Sequence, residues 1–470
     1  MKIFADRARL GLTALAVAVF TIVGCDHVKD QLLQPQIPGL VDPSAVGNPT
    51  AALALRNGAI GRYKQVQSGE SIWQYGGTLA DEYKNADFSV DRINADQRLT
   101  DAAVSWNYGA VTQSRGFVRD AIAAMIKYNP DSTALIGELY MELAFFEMTM
   151  ADNYCNGIPL GHMDNGVQVN GAPVSVLQVY DSATNHLDTA LVYTAKAIAS
   201  AKTPADQAGA TFIDRAARVW KARVLIDKDK ANAGAAATLV ANVPTTFAYD
   251  MTFSASAGSN GMWSLNNSTA RIGVADSFDI INGAVSVTKN ALPFVSSKDP
   301  RVPVINGDSV SPKVPPEDGV TRPFYLGGLY KGQFDPLVLA SGVDARLYEA
   351  EAKLQGGDIA GMMTILNALR AAKPTIGVTA IPALAALPTP TSTDAAISLL
   401  FREKAFWTFG RGQRLPDLRR LIRQYGRTQD NVFPTGSYFK GGVYGVDVNF
   451  PVPSQEQVNP LFSSCTDRKA

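Results

Sequence analysis

Histidine and cysteine are scarce in this chain, with three of each among 470 residues. His162 and His186 do not have the spacing of metal ligands, no cysteine lies beside either of them, and no Cys/His cluster suggests a zinc site. No glycine-rich loop carries the lysine that phosphate binding needs. The 43 basic residues are balanced by 43 acidic ones, so no basic excess points to nucleic acid. We therefore predict no metal, no cofactor and no nucleic-acid partner.

Paired carboxylates that could serve a glycosidase are also few. Asp81-Glu82 and Glu317-Asp318 are adjacent in sequence, and sequence neighbours seldom face the same pocket. Surface or capping roles explain these acids better than catalysis does. The sequence predicts that the chain is not an enzyme.

Long apolar runs are absent after residue 25, and the single earlier run is short. A basic start with Lys2, Arg7 and Arg9 precedes about fourteen apolar residues at 10–23. This layout is typical of a secretory signal. A transmembrane anchor is the competing interpretation, but spanning a bilayer takes roughly twenty residues.

Cys25 directly follows Val23-Gly24 at the end of that run, which resembles a bacterial lipobox. The resemblance implies cleavage before Cys25 and lipidation of its thiol, leaving a soluble domain tethered to a membrane surface. Asp26 follows at once; in some bacteria an acidic residue there favours the inner membrane. The sequence alone therefore does not decide between the inner and the outer membrane.

Two further cysteines, Cys155 and Cys465, remain once Cys25 is assigned to lipid. In an exported chain two such residues favour one disulfide bond, which would tie the C-terminal tail to the end of a central helix. Two unrelated thiols are the alternative.

Helical periodicity divides the chain into a scaffold, a lobe and a tail. Residues 1–24 are the predicted signal peptide and 25–48 a proline-containing tether. Apolar stripes at three- and four-residue spacing predict helices over 49–243 and 343–425. Within the first block, one predicted helix runs from about Ser132 to Tyr154, another begins near Pro173 and Val174 and ends before Pro204, and a shorter one runs from Asp214 to about Lys228. Between them, residues 244–342 are rich in Gly, Ser, Asn and Pro and predict an irregular lobe; residues 426–470 predict a non-helical tail.

The helices recur as pairs of roughly thirty to forty residues, as in tetratricopeptide repeats. The clearest pair is 344–354 and 358–369, separated by the turn Gly356-Gly357. Such pairs bury their apolar faces only by stacking on each other. The predicted fold class is mostly α, with stacked tetratricopeptide-like helix pairs and a loop-rich lobe.

Four segments in order resemble the SusD/RagB family of lipidated nutrient-binding proteins. They are 137–160, which ends in Asn-Gly-Ile-Pro-Leu, 173–181 with Val179-Tyr180-Asp181, the charged segment 402–420, and 450–460 with Pro451, Pro453 and Asn459-Pro460. One departure is that Phe409-Gly410 stands where the family pattern carries an acidic residue. We interpret Arg402, Glu403, Arg414, Asp417 and Arg419 as a structural ion-pair network between helices.

The resemblance implies a SusD-like fold and a place on the outer membrane, facing the cell exterior. It also implies capture of an oligomeric nutrient, most simply a glycan, and its delivery to a TonB-dependent transporter. A peptide ligand stays open. The alternative function is a tetratricopeptide-type scaffold lipoprotein that binds other envelope proteins.

Large aromatic side chains outside the helical stripes are the candidate ligand contacts, because sugar rings stack on aromatic faces. We select Trp73, Tyr75, Trp263, Tyr325 and Tyr330. Trp73 and Trp263 are expected on one exposed face, although burial of either ring as a packing residue is an open alternative. Three tryptophans that lie on helical stripes are predicted core residues: Trp106, Trp220 and Trp407.

Overall fold

The structure is a computed structural model that describes residues 47–67, 71–164, 167–281 and 283–470. The predicted signal peptide, the lipidated Cys25 and nearly all of the tether lie outside the described residues. Within the described ranges no helix is long and apolar enough to cross a membrane. Residues 48–470 form one compact unit.

Helices build the first half of the described chain. They are α1 (Pro49–Ile60), α2 (Ile72–Ala80), α3 (Val90–Asp96), α4 (Tyr108–Tyr128), α5 (Thr133–Asn153), α6 (Val176–Ala199), α7 (Pro204–Lys228) and α8 (Ala233–Val240). Successive long helices pack side by side, α4 on α5, α5 on α6 and α6 on α7. This is the stacking of helix pairs that the periodicity predicts.

Helices return after the lobe, again close to the predicted bounds. They are α10 (Gly342–Gln355), α11 (Ile359–Ala371), α12 (Thr393–Trp407) and α13 (Arg414–Arg423), while α9 (Gly261–Trp263) is a single turn inside the lobe. α10 packs on both α8 and α11. The later helices thus continue the stack that the earlier ones begin.

Capping boxes fix where several helices begin. Ser175 and Gln178 form one at α6, Thr203 and Asp206 one at α7, and each satisfies backbone groups that the first turn leaves unpaired. α7 begins ten residues before Asp214, the predicted start of this helix. Pro204 in the first turn and the Thr203 cap start the helix earlier, although its first turns are exposed.

α5 is the central helix, and it carries four acidic side chains into the core. Glu138, Glu147 and Asp152 each accept a charge-assisted hydrogen bond from an arginine of a neighbouring helix: Arg56 of α1, Arg115 of α4 and Arg223 of α7 respectively. Glu142 has no hydrogen-bond partner in the described chain, and burial raises its pKa well above the usual range. Burial thus favours the protonated, neutral form of Glu142.

The lobe is a long insertion between helices α8 and α10, and its first and last strands pair with each other. Its first strand, β6 (Ala248–Met251), pairs antiparallel with its last, β12 (Leu337–Ser341). Between them lie a π-helical turn (Ser264–Ser268) and strands β7 (Ile272–Val274), β8 (Phe278–Ile281), β9 (Ala284–Val287), β10 (Ile305–Asn306) and β11 (Phe324–Tyr325). β8 pairs with β9 and β10 with β11. Short strands and turns thus replace helices across the predicted interval.

Segments from outside residues 244–342 complete the lobe. β7 pairs with β1 (Tyr83–Asn85), and Lys289 forms an isolated bridge with Thr435 of the tail. Such pairings join residues far apart in sequence, so periodicity within a segment does not reveal them. Six further short strands of the described chain lie outside the lobe and form three antiparallel pairs. They are β2 (Ile158–Pro159) with β5 (Pro173–Val174), β3 (His162–Asp164) with β4 (Val167–Val169), and β13 (Thr375–Ile376) with β14 (Thr379–Ala380).

The tail returns to the end of α5 and is fixed there. Phe450 exchanges backbone hydrogen bonds with Asn153 and Cys155, at 2.9 and 2.8 Å. A disulfide joins Cys155 to Cys465, with 6.0 Å between their Cα atoms. The bridge favoured by the cysteine count is present, and it connects the tail to the end of the central helix.

A buried quartet of alternating charges joins α10, α12 and α13. Lys404 Nζ lies 3.3 Å from Glu351 Oε2 and 2.6 Å from Asp417 Oδ1, and Arg420 contacts both carboxylates. Burial alone would raise the pKa of Glu351, but Arg420 and Lys404 lower it to about 2. Two cations and two anions balance, which offsets part of the cost of removing them from water.

Other residues of the charged segment also have structural roles. Glu403 binds Arg301 and Arg370, and Arg414 forms a bidentate pair with Asp81. Arg419 donates to the carbonyls of Ala151, Asp152 and Tyr154 at the C-terminal end of α5, where helix carbonyls lack partners. Arg402 is more exposed and reaches Glu403 only at 3.9 Å. The predicted ion pairs are present at Glu403, Arg414 and Asp417, whereas Arg419 binds backbone carbonyls instead of carboxylates.

A carboxylate also reaches the Phe409-Gly410 turn, though from another segment. Glu82 Oε1 accepts a hydrogen bond from Gly410 N at 3.0 Å, while its Oε2 has no partner in the described chain. Burial raises the pKa of Glu82 to about 8, and the Gly410 N–H opposes this. Glu82, which is distant in sequence, thus supplies a carboxylate at the turn where the 402–420 segment has no acidic residue.

We expect Glu351→Gln to lower the free energy of unfolding by about 3–5 kcal/mol, because it removes the buried carboxylate that contacts both Lys404 and Arg420. Asp394→Asn is the control: Asp394 pairs with Arg427 at 2.7 Å but is exposed, so its loss should cost under ~1 kcal/mol. Urea unfolding followed by circular dichroism measures both. Equal, small losses would show that the quartet does not hold the helices together.

Glu82 predicts a pH dependence of stability. Its pKa is about 8 in the folded chain and near 4.5 unfolded, so the unfolded state releases the proton first as the pH rises. Its stabilising contribution is complete below pH 4.5 and is lost as the pH rises through 8, by up to ~1.4 kcal/mol per pH unit. Glu82→Gln should remove this part of the slope when unfolding free energies are compared across that range. Parallel profiles for the two proteins would contradict the assignment.

Candidate functional site

Trp73 is a core residue, so the prediction that it lies on an exposed face is wrong. Its side chain is 4% exposed and meets the Phe145 ring edge-on at 6.1 Å. Gly412, with φ of +66°, allows the backbone to approach the indole, since a Cβ there would lie 2.5 Å from Trp73 Nε1. α2 is buried at all nine positions, which the mixed sequence around it does not reveal.

Three of the other predicted contacts are buried as well. Tyr75 meets Trp106 edge-on at 5.2 Å and also contacts Phe450. Tyr325, in β11, and Tyr330 each expose only 3% of their surface. These side chains pack the molecule and do not form a common surface with Trp263. Trp106, Trp220 and Trp407 are buried as predicted.

Trp263 is the one predicted ring that reaches the surface, where it is half-buried. It ends the single turn α9, whose start Asn260 caps by accepting from the amides of Met262 and Trp263 at 3.0 and 3.2 Å. The π-helical turn 264–268 follows directly. Single π-helical turns are frequent at functional sites.

The segment 330–335 runs beside this turn and adds a second exposed ring. Asn260 bonds to the backbone of Gln333 and Asp335, and Asn267 Nδ2 donates to Tyr330 O at 2.9 Å. Phe334, in the same segment, is 41% exposed. We define Trp263, Asn267 and Phe334 as the lobe turn site.

Amide oxygens without partners accompany the rings of the lobe turn site. Oδ1 of Asn266 and Oδ1 of Asn267 are buried and accept no hydrogen bond from any described residue. An unpaired buried acceptor costs about 1–3 kcal/mol. Both oxygens lie beneath the surface, and of the two residues only Asn267 is partly exposed. Partly exposed rings next to amides are the arrangement that suits a sugar ring with its hydroxyl groups.

The β8–β9 hairpin gives the lobe a second surface, on which apolar side chains face outward while a charged side chain faces inward. Asp279 points inward and pairs with the buried Lys84, so the residues on either side of it must face outward. Ile280 opposes Val285 and Phe278 opposes Val287, which places all four on the outer face. Arg322 stacks on the edge of this apolar outer face, with its Cζ atom 4.7 Å from the centre of the Phe278 ring.

Neighbouring loops extend this apolar surface. Phe88 is 71% exposed, and Val320 is similarly exposed. Lys440 connects their loops, because it donates to Asp87 O at 2.8 Å and pairs with Asp318 at 2.7 Å. Phe88 was absent from the candidates chosen from sequence; it lies between β1 and α3, and only the pairing of β1 with the lobe brings it to this surface.

The paired acids of the sequence have structural partners. Asp81 binds Arg414, Glu317 binds the exposed Arg271 at 2.6 Å, and Asp318 caps its own turn through Thr321. Among the described residues no group of three or more His, Cys, Asp or Glu side chains is placed to hold a metal ion. The described geometry thus offers binding surfaces built from rings and amides.

No protein-family model matches the chain, and no curated protein matches it. Several solved structures, in contrast, are similar to this chain. A SusD-like protein from Bacteroides fragilis aligns over 91% of this chain and 98% of its own, with a TM-score of 0.59 at 15% identity. A laminarin-binding SusD-like protein aligns over 89% and 99%, with a TM-score of 0.58 at 13% identity.

A third structure, described as a sugar-binding protein from Bacteroides vulgatus, aligns over 90% of this chain and 99% of its own. Its TM-score is 0.57 at 15% identity. The alignments cover scaffold, lobe and tail together. The chain therefore has the SusD-like fold, which confirms the predicted fold class.

Proposed function

We propose that this chain is a member of the SusD/RagB family, a non-catalytic lipoprotein that binds an oligosaccharide at the cell surface. The SusD-like fold over nearly the whole chain supports membership, and so do the four motif segments and the lipobox. Two of the similar structures carry names that mention laminarin or sugar binding. The observation that carries the binding role is the lobe turn site, where the half-buried Trp263 and the exposed Phe334 lie on two segments that Asn260 and Asn267 hold together.

The bound oligosaccharide would then pass to a TonB-dependent transporter in the same outer membrane. The family resemblance supports this partner, and the lipid on Cys25 would keep the binding protein beside it. In this arrangement the helical scaffold docks on the transporter, and the lobe presents the ligand.

Trp263→Ala should weaken oligosaccharide binding by about five- to 150-fold, because a stacking ring contributes on the order of 1–3 kcal/mol. A glycan array identifies the ligand, and calorimetry then measures its affinity for each variant. Phe212→Ala is the matched control, since Phe212 is 42% exposed but lies on the scaffold helix α7. Trp73→Ala serves as a second control and should reduce stability by about 3–5 kcal/mol.

Two results would oppose this proposal. If Trp263→Ala binds as well as Phe212→Ala, the lobe turn site is not the glycan site. If the array detects no glycan while the protein co-purifies with an envelope partner, the scaffold function is supported instead.

Cys25→Ala should abolish acyl labelling and release the protein from membranes. The physical reason is that several acyl chains on one cysteine supply the anchor, at about 0.8 kcal/mol for each buried methylene. Metabolic labelling with an alkyne fatty acid and membrane fractionation measure both effects. A Cys25→Ala protein that stays labelled and membrane-bound would refute lipidation at this residue.

A further inference from the structure

We propose that a cleft at the C-terminal end of the chain binds an extended peptide segment of a partner protein, one that combines acidic and aliphatic side chains. This C-terminal cleft has a volume of about 1100 Å³. Its walls are the first turn of α6, the last turn of α13 with Gln429, and residues 466–470. The inference does not depend on the glycan-binding role.

The walls of the cleft are held in place before any ligand arrives. The disulfide between Cys155 and Cys465 fixes the start of the tail wall. Asn156 joins that wall to α6, because its Oδ1 accepts from Val176 N at 2.8 Å and its Nδ2 donates to Asp467 Oδ1 at 2.9 Å. A preorganised cleft loses little entropy on binding.

The charged side chains lining the cleft favour an anion. Arg423, Arg468 and Lys469 line it, against the single acidic side chain Asp467. Arg468 pairs with Asp447 at 3.3 Å, but neither Arg423 nor Lys469 forms an ion pair with a described carboxylate. Arg423 Nη2 donates to a backbone carbonyl at 2.6 Å, and its Nε is buried without a described partner. The exposed Lys469 is thus available to a carboxylate of a ligand, and Arg423 adds positive charge to the wall of the cleft.

The uncharged lining favours a peptide over a sugar. No aromatic side chain lines the cleft, so no stacking platform for a sugar ring is present among its described residues. The apolar lining is aliphatic, with Leu177 43% exposed beside Ile422 and Val448. Gln429 adds an amide that can pair with a peptide backbone, and Gln178, whose Oε1 caps α6, adds its NH₂ group. Aliphatic surface, amides and cations together match an extended acidic and aliphatic segment.

Selection from a random peptide library tests this proposal on the purified full chain. Peptides enriched on the wild type should carry Asp or Glu together with Leu, Ile or Val. Fluorescence polarisation with an enriched peptide should show about tenfold weaker binding to Lys469→Glu, equivalent to ~1.4 kcal/mol. Lys202→Glu, which reverses an exposed charge on the scaffold, is the matched control and should bind normally.

Leu177→Asp separates loss of binding from loss of folding. An acidic residue in the first turn of a helix is favourable, so the melting temperature of the Leu177→Asp variant should not fall. The variant should nevertheless lose peptide binding, because it removes an apolar contact and adds charge repulsion. The proposal is overturned if no peptide is enriched, or if enriched peptides bind both cleft variants as well as Lys202→Glu. Binding of polygalacturonate that is lost in the same two variants, without peptide enrichment, would reassign the cleft to an acidic glycan.

Discussion

The charge quartet between α10, α12 and α13 is the constraint on which the described structure depends most. Glu351, Lys404, Asp417 and Arg420 are all nearly inaccessible to water, so each needs its partners in place before burial is tolerable. Removing one member leaves an uncompensated charge in the core. The quartet therefore specifies one relative position for the three helices.

The same principle extends outward from the quartet. Arg414 on α13 holds Asp81 at the end of α2, and Arg411 binds Asp344 at the start of α10. Arg419 closes the end of α5, where the tail and its disulfide also meet. These contacts connect the scaffold, the start of the lobe and the tail to the helices that carry the quartet. The lobe can therefore carry irregular loops without helical support of its own.

Much of the fold could be predicted from the sequence because its long helices have regular apolar spacing and strong caps. α5 and α6 were placed within three residues, and the lobe was recognised by its loss of periodicity. The start of α7 was missed, since its first turns are exposed and carry no apolar stripe. The pairing of β1 with β7 was also missed, because strand partners distant in sequence leave no local pattern.

The candidate site was harder to predict, for a physical reason. A large ring in a glycine-rich segment can face solvent or fill a gap against close backbone, and the sequence does not distinguish the two. Trp73 fills such a gap against Gly412, whereas Trp263 ends a capped single turn and stays half-buried. The exposed Phe334 and Phe88 carried no sequence signal of their own, since only tertiary pairing brings them to the surface of the lobe.

Hydrogen exchange with and without the array-identified oligosaccharide tests most directly the claim that a rigid scaffold presents a binding lobe. We expect slower exchange at residues 260–268 and 330–335 when the ligand is bound, with exchange in the helices α5 to α7 unchanged. Protection concentrated on the scaffold helices, with the lobe unaffected, would contradict it.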